Sequence, residues 1–237
     1  MYVVGMTLTT TPATYTYADL PRLMSLMTGD EKHSLAATST LDIIWALYDR
    51  VLDTSPERID DPDRDRFLLS KGHGPMAYYA ILAAKGYITE RDLSTFATHD
   101  SPLGHHPDAT LIPGVEISSG SLGHGLPIAV GLALGLRAQS NAARVFCLIG
   151  DGELDEGSNH EAIAVAARRG LDTLNVIVVD NRSATQGWPG GIESRFAVEG
   201  WATRQINGRS HGAVAGAFDT PHAGRPLAVI AVTEARR

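Results

Sequence analysis

The sequence predicts an α/β protein: a mostly parallel sheet with helices on both faces. Two observations predict it. Three short runs, VFCLI (145–149), LNVIVVDN (174–181) and PLAVIAV (226–232), are nearly continuous in apolar residues, which is how strands read when both faces of a sheet are covered. Segments with helical apolar spacing precede and separate them, and that alternation favours parallel pairing through crossovers. The 237 residues suit one large domain or two small ones, enough to bury a real core. With 43% hydrophobic and 20% charged residues, the chain is globular rather than disordered.

The elements follow in order. Residues 1–20 are Thr-rich and aperiodic and read as an N-terminal arm. TSTLDIIWALYDRVL (38–52) has helical apolar spacing with Thr and Asp near its start. DTSPERIDDPDRD (53–65) is a polar loop. FLLSKGHG (67–74) is a short apolar run ending in a glycine-flanked histidine. PMAYYAILAAKGY (75–87) predicts a helix with proline in its first turn and glycine near its end. TERDLSTFATH (89–99) predicts a short amphipathic helix, and SPLGHHPDATLIPGVE (101–116) a long loop. ISSGSLGHGLPIAVGLALGLRAQ (117–139) is a glycine-rich turn leading into a small-residue, largely buried helix. EGSNHEAIAVAARRG (156–170) predicts a helix with Gly170 placed to end it.

Composition excludes several classes. The net charge is −7 and no basic block interrupts it, which argues against a nucleic-acid surface. The single cysteine, Cys147, lies in an apolar run and cannot form an internal disulfide, which points to a reducing compartment. The first residues carry no signal-length apolar stretch, and no run reaches the roughly 20 apolar residues of a membrane span. The expected location is the cytoplasm, away from membranes.

The stretch GDGELDEGSNHEA (150–162) concentrates the carboxylates Asp151, Glu153, Asp155, Glu156 and Glu161 at the end of a strand. Either it is a solvated turn or it holds a cation. In a strand–helix–strand unit, Asp151 and Asn181 would stand at the carboxyl ends of two strands, where open α/β sheets bind ligands. Gly150 and Gly152 would let backbone amides approach a ligand, and the following helix would present its N-terminus to an anion. A carboxylate and an amide oxygen are hard ligands suited to Mg²⁺ or Ca²⁺. An EF-hand does not fit, because Glu156 takes the place of its glycine and Ala162 that of its final glutamate. No phosphate-binding P-loop pattern is present.

GDG after one buried strand, with Asn181 closing another, resembles the thiamine diphosphate signature. Together with DRDRFLLSKGHGPMAYYAILAAKGY and GHHPDATLIPGVEISSGSLGHGLPIAVGLALG, it resembles transketolase from about residue 33 to 233. The resemblance implies a diphosphate-binding domain over 21–237, with thiamine diphosphate and Mg²⁺ (or Ca²⁺) as cofactors. Asp151, Asn181 and the Ser183 carbonyl would hold the metal. Gly150, Gly152 and Glu153 would meet the diphosphate, the last two through backbone amides, and Gly120 and Leu122 the aminopyrimidine. His73 would lie near diphosphate and substrate; His106 and His33 would contact substrate, although KHSL (32–35) departs from the family's GHPG. Glu156 and Glu161 would join a carboxylate network near a dimer interface.

The resemblance also implies a missing half. The family's catalytic glutamate belongs to a pyrimidine-binding domain for which this chain has no room. A separately encoded C-terminal subunit would supply it, in a heterotetramer with two copies of each chain. The activity implied is transfer of a two-carbon ketol unit from a ketose (phosphate) to an aldehyde. The altered loops 32–35 and 182–191 leave open two alternatives: a lipoyl or acyl-carrier-protein thiol as acceptor, and a non-catalytic subunit that stabilises its partner.

Overall fold

The computed structural model describes residues 15–28, 34–184 and 187–234. Five strands form one sheet: β1 (Arg66–Leu69), β2 (Val145–Gly150), β3 (Leu174–Asp180), β4 (Ala202–Asn207) and β5 (Leu227–Val232). Their order is β1-β2-β3-β5-β4 and every pairing is parallel. Eight α-helices are described: α1 (Leu20–Ser25), α2 (Ser34–Arg50), α3 (Met76–Ala84), α4 (Glu90–Leu93), α5 (Gly125–Ala138), α6 (Gly157–Arg168), α7 (Gly191–Ala197) and α8 (His211–Gly216).

Alternation along the strands sorts the core into two layers. Phe67, Leu69, Phe146, Leu148, Ile177 and Val179 face one side, where Leu20 and Leu23 of α1, Ile43 and Leu47 of α2, Tyr78 of α3 and Val214 of α8 cover them. Leu68, Val145, Cys147, Ile149, Val176 and Val178 face the other, under Leu126 of α5, Ile163 of α6 and Phe196 of α7. Both faces of the central strands are therefore dry, which is why they read as unbroken apolar runs. No helix among the described residues is long and apolar enough to cross a membrane.

Three elements differ from the sequence expectation. Strand β4 reads ATRQIN and has no apolar run to mark it. It is an edge strand with half-buried and exposed positions, so polar side chains cost it little. Helix α4 stops at Leu93 instead of running to 99. Thr89 and Asp92 cap its start reciprocally, but Ser94 and Thr95 then bond back to the carbonyls of Arg91 and Asp92, both at 2.7 Å, and turn the chain. The segment from residue 15 is docked rather than loose: the Tyr17 hydroxyl donates to Asp42 at 2.6 Å, and Leu20 and Leu23 are fully buried.

The strand register aligns two turns at the carboxyl end of the sheet. Gly150, the last residue of β2, lies opposite Val179, the next-to-last of β3. The turns beginning at Asp151 and Asn181 therefore leave the same edge of the sheet side by side.

Candidate active site

Asp151 is buried, and its Oδ1 accepts from the Ser183 hydroxyl at 2.5 Å and the Gly152 amide at 2.9 Å. Asn181 Oδ1 accepts from the Ser183 amide at 3.2 Å, and its Nδ2 donates to Ser39 Oγ at 3.4 Å. The Ser183 carbonyl lies 3.6 Å from where a Cβ on Gly152 would stand. The three expected metal ligands thus meet at one corner. Carboxylate, amide and carbonyl oxygens are the donor set a hard divalent cation takes. Among the described residues no three His, Cys, Asp or Glu side chains cluster as a metal site; this corner uses one carboxylate and two neutral oxygens. Arg182, between two of the ligands, has φ +60°, a left-handed conformation that costs a non-glycine residue roughly 1–2 kcal/mol. Beside Asp151 opens a cavity of about 430 Å³, lined by Asp180, Arg182, Trp188 and Gln205 among others.

The acidic stretch divides into separate roles. Glu153 points inward and is buried. One oxygen accepts from the Ser70 hydroxyl and, at 3.1 Å, from the Gly123 amide; the other accepts from the Gly150 amide at 3.2 Å. Ser70 itself accepts from the Gly125 amide at 3.1 Å. One carboxyl therefore ties together the loops after β1, before α5 and after β2. Burial pushes its carboxyl up from the usual range, against the pull of these hydrogen bonds and Lys71. Asp155 pairs with the buried Arg195 at 3.3 Å, whose guanidinium also bonds His160 and lies 4.9 Å over the Trp188 ring. Glu156 and Glu161 are exposed, and neither side chain makes a hydrogen bond or ion pair among the described residues.

Two of the turn's backbone amides have partners within the chain. The Gly150 amide is held by Glu153 and the Gly152 amide by Asp151. The first long helix after the turn, α6, begins only at Gly157, with a 3-10 turn (Glu153–Asp155) in between. Between Asp151 and the start of α6 the chain folds Glu153 into the interior.

The histidine side of the site lies at the end of β1. The rings of His73 and His106 meet edge to face with centroids 5.5 Å apart. Gly120, at φ +115°, passes so close to His106 that a Cβ there would lie 3.1 Å from the ring. Leu122 is exposed on the same loop. His33 lies outside the described residues.

Lys71 carries no sequence signal, yet it lies beside the acidic turn. It is buried over Gly150, and burial pulls its ammonium down to about 8, while Asp151 and Glu153 hold it up. Between an apolar strand and a glycine, a lysine gives no hint of burial. Ser39 and Ser70 escape sequence reasoning for the same reason.

Comparison with known proteins identifies the family and the fold. The family described as "Transketolase, thiamine diphosphate binding domain" matches residues 24–233. The chain belongs to the transketolase family. It is 60% identical over 221 residues to a protein named ferredoxin fas2 from Rhodococcoides fascians, covering 93% of this chain and 73% of that one. It is 38% identical over 209 residues to a protein from Actinobacillus succinogenes named as one subunit of apulose-4-phosphate transketolase, covering 85% and 75%. A transketolase variant from Pichia stipitis superposes with a TM-score of 0.78 at 25% identity, over 91% of this chain and 35% of that one. The chain thus spans about a third of that transketolase's length and has the thiamine diphosphate-binding fold. Iron–sulfur clusters are held by several cysteine thiolates, and the one cysteine here, Cys147, is buried in β2, so this transketolase domain has no such ligand set of its own.

Proposed function

We propose that the chain is the diphosphate-binding subunit of a two-chain transketolase, transferring a two-carbon ketol unit from a ketose phosphate to an aldehyde. The observation that carries the reading is the convergence of Asp151, Asn181 and Ser183 at the ends of β2 and β3. Asp151, Asn181 Oδ1 and the Ser183 carbonyl would hold Mg²⁺. When bound, thiamine diphosphate supplies an electron sink for the carbanion that ketol transfer requires. Lys71 would offset the diphosphate charge. His73 and His106, with His33, would orient the substrate carbonyl and donate hydrogen bonds to developing negative charge.

The partner is supported by two features. The Actinobacillus succinogenes relative is named as one subunit of its transketolase. Leu122, Ile128 and Val165 are exposed on the α5–α6 layer, with Gly131 and Gly135 opening onto empty space beside them. The partner would supply the pyrimidine-binding domain and its glutamate.

Titration calorimetry of the complex co-purified with this chain tests the reading. Thiamine diphosphate should bind in the presence of Mg²⁺ and not after chelation, and Asp151→Ala should abolish it. Equal binding by wild type and Asp151→Ala would refute the metal corner. A donor screen with ketose phosphates and pyruvate then tests the reaction: turnover of pyruvate alone would exclude ketol transfer.

A further inference from the structure

We infer that Arg209 is a positioning residue for Asn181, and through it for the cation-binding corner; the inference rests on the reading of that corner given above. Its guanidinium bridges α2 and the chain just past β5. Nη1 donates to the Thr38 carbonyl in α2 at 2.5 Å, and Nε to the Thr233 carbonyl just past β5 at 3.4 Å. Thr233 donates its amide and its hydroxyl to the Asp180 carbonyl, at 3.0 and 3.3 Å. Asp180 precedes Asn181, whose Nδ2 donates to Ser39 at 3.4 Å, and Ser39 follows Thr38. The bonds form a closed circuit: Thr38, Arg209, Thr233, Asp180, Asn181, Ser39.

The circuit decides which way the Asn181 amide points. A carboxamide has a donor end and an acceptor end. With Nδ2 on Ser39, Oδ1 is turned toward the Ser183 amide and the corner holding Asp151. Ligands are commonly oriented in this way by the hydrogen bond their other end makes. Ser39 meets Asn181 where α2 approaches the end of β3, and Arg209 adds a tie from Thr38 of α2 to Thr233, just past β5, the strand that pairs with β3. The guanidinium is held in turn by Asp42, 3.3 Å away, which accepts from the Tyr17 hydroxyl at 2.6 Å and faces His211 Nε2 at 3.0 Å. The Arg209 amide donates to Asn207 Oδ1 at 2.9 Å, fixing the turn after β4. A planar fork can reach both carbonyls; an ammonium is a point charge that cannot.

The test uses the full-length chain with its co-purified partner. Mg²⁺ affinity is measured by calorimetry at saturating thiamine diphosphate, and melting temperature without either. Arg209→Met should weaken Mg²⁺ by about 10- to 100-fold. Arg209→Lys should melt close to wild type yet remain weakened, which also covers a failure of the Met variant to fold. Arg209→Met in an Asn181→Ala background should add no further loss, because the two act on one group. Three results would overturn the inference: wild-type affinity in Arg209→Met, full recovery in Arg209→Lys, or additive losses in the double variant. If Asn181→Ala alone binds Mg²⁺ like wild type, the corner itself is misread; if it loses Mg²⁺ while Arg209→Met does not, only the positioning role falls.

Discussion

Lys71 shows what a single side chain can add to the site. Its ammonium is buried beside Asp151 and Glu153, and burial brings it down to about 8. An anion such as a diphosphate selects the charged form. In the cofactor-free protein that form predominates below about pH 8 and is lost progressively above it. Thiamine diphosphate affinity should therefore be flat up to that pH and then fall by as much as about tenfold per pH unit. Lys71→Met should flatten the profile and weaken binding by about 2 kcal/mol, the scale of a charge-assisted hydrogen bond; calorimetry across pH reads both. A variant that keeps the slope would assign it to another group. Asp151 and Asn181 are legible in the sequence because their chemistry and their place after apolar runs point the same way. Lys71 is not, because nothing in SKGHG distinguishes a buried lysine from a solvated one.

Among the elements, the loops that meet at Glu153 are constrained by how closely they approach. Gly123 has φ +85°, and a Cβ there would lie 2.6 Å from Glu156 and Ser158. A Cβ on Gly125 would lie 2.2 Å from Ser70. Gly123→Ala should cost roughly 1–3 kcal/mol of stability, read by denaturant melting, whereas alanine at Gly131, which has open space, should cost nothing or stabilise its helix. The docked N-terminal segment has its own signature. Burial, with the bond to Asp42, raises the Tyr17 phenol to about 12 from its usual 10. Between those values the unfolded chain loses a proton that the folded chain keeps, so stability is present below pH 10 and is lost as pH rises toward 12. Tyr17→Phe should lessen that alkaline loss; equal slopes would show that the Asp42 contact does not hold the segment. Residues 1–20 read as an arm because TYTYADL has no helical period long enough to betray the buried Leu20. Likewise α4 is shorter than its pattern because Ser94 and Thr95 fit a helical spacing while bonding to end it.

On the scale of the whole molecule, the parallel sheet places the turns bearing Asp151, Asn181 and Ser183 at one end. The central strands β2, β3 and β5 are legible because both of their faces are covered; β4 is not, because an edge strand has no need of an apolar run. Leu122 before α5, Ile128 in α5 and Val165 in α6 are exposed apolar side chains that helical spacing alone does not single out. Ile128→Glu should leave the melting of the isolated chain within about 0.5 kcal/mol, as surface changes do, while weakening capture of the co-purified partner. Unchanged capture would move the interface elsewhere. Glu153 has a consequence for how the site opens. Since one carboxyl anchors amides of Gly123 and Gly150 and the hydroxyl of Ser70, those segments cannot fray one at a time. Deuterium uptake at Gly123 and Gly150 should report a common opening free energy, and Glu153→Gln should lower both together.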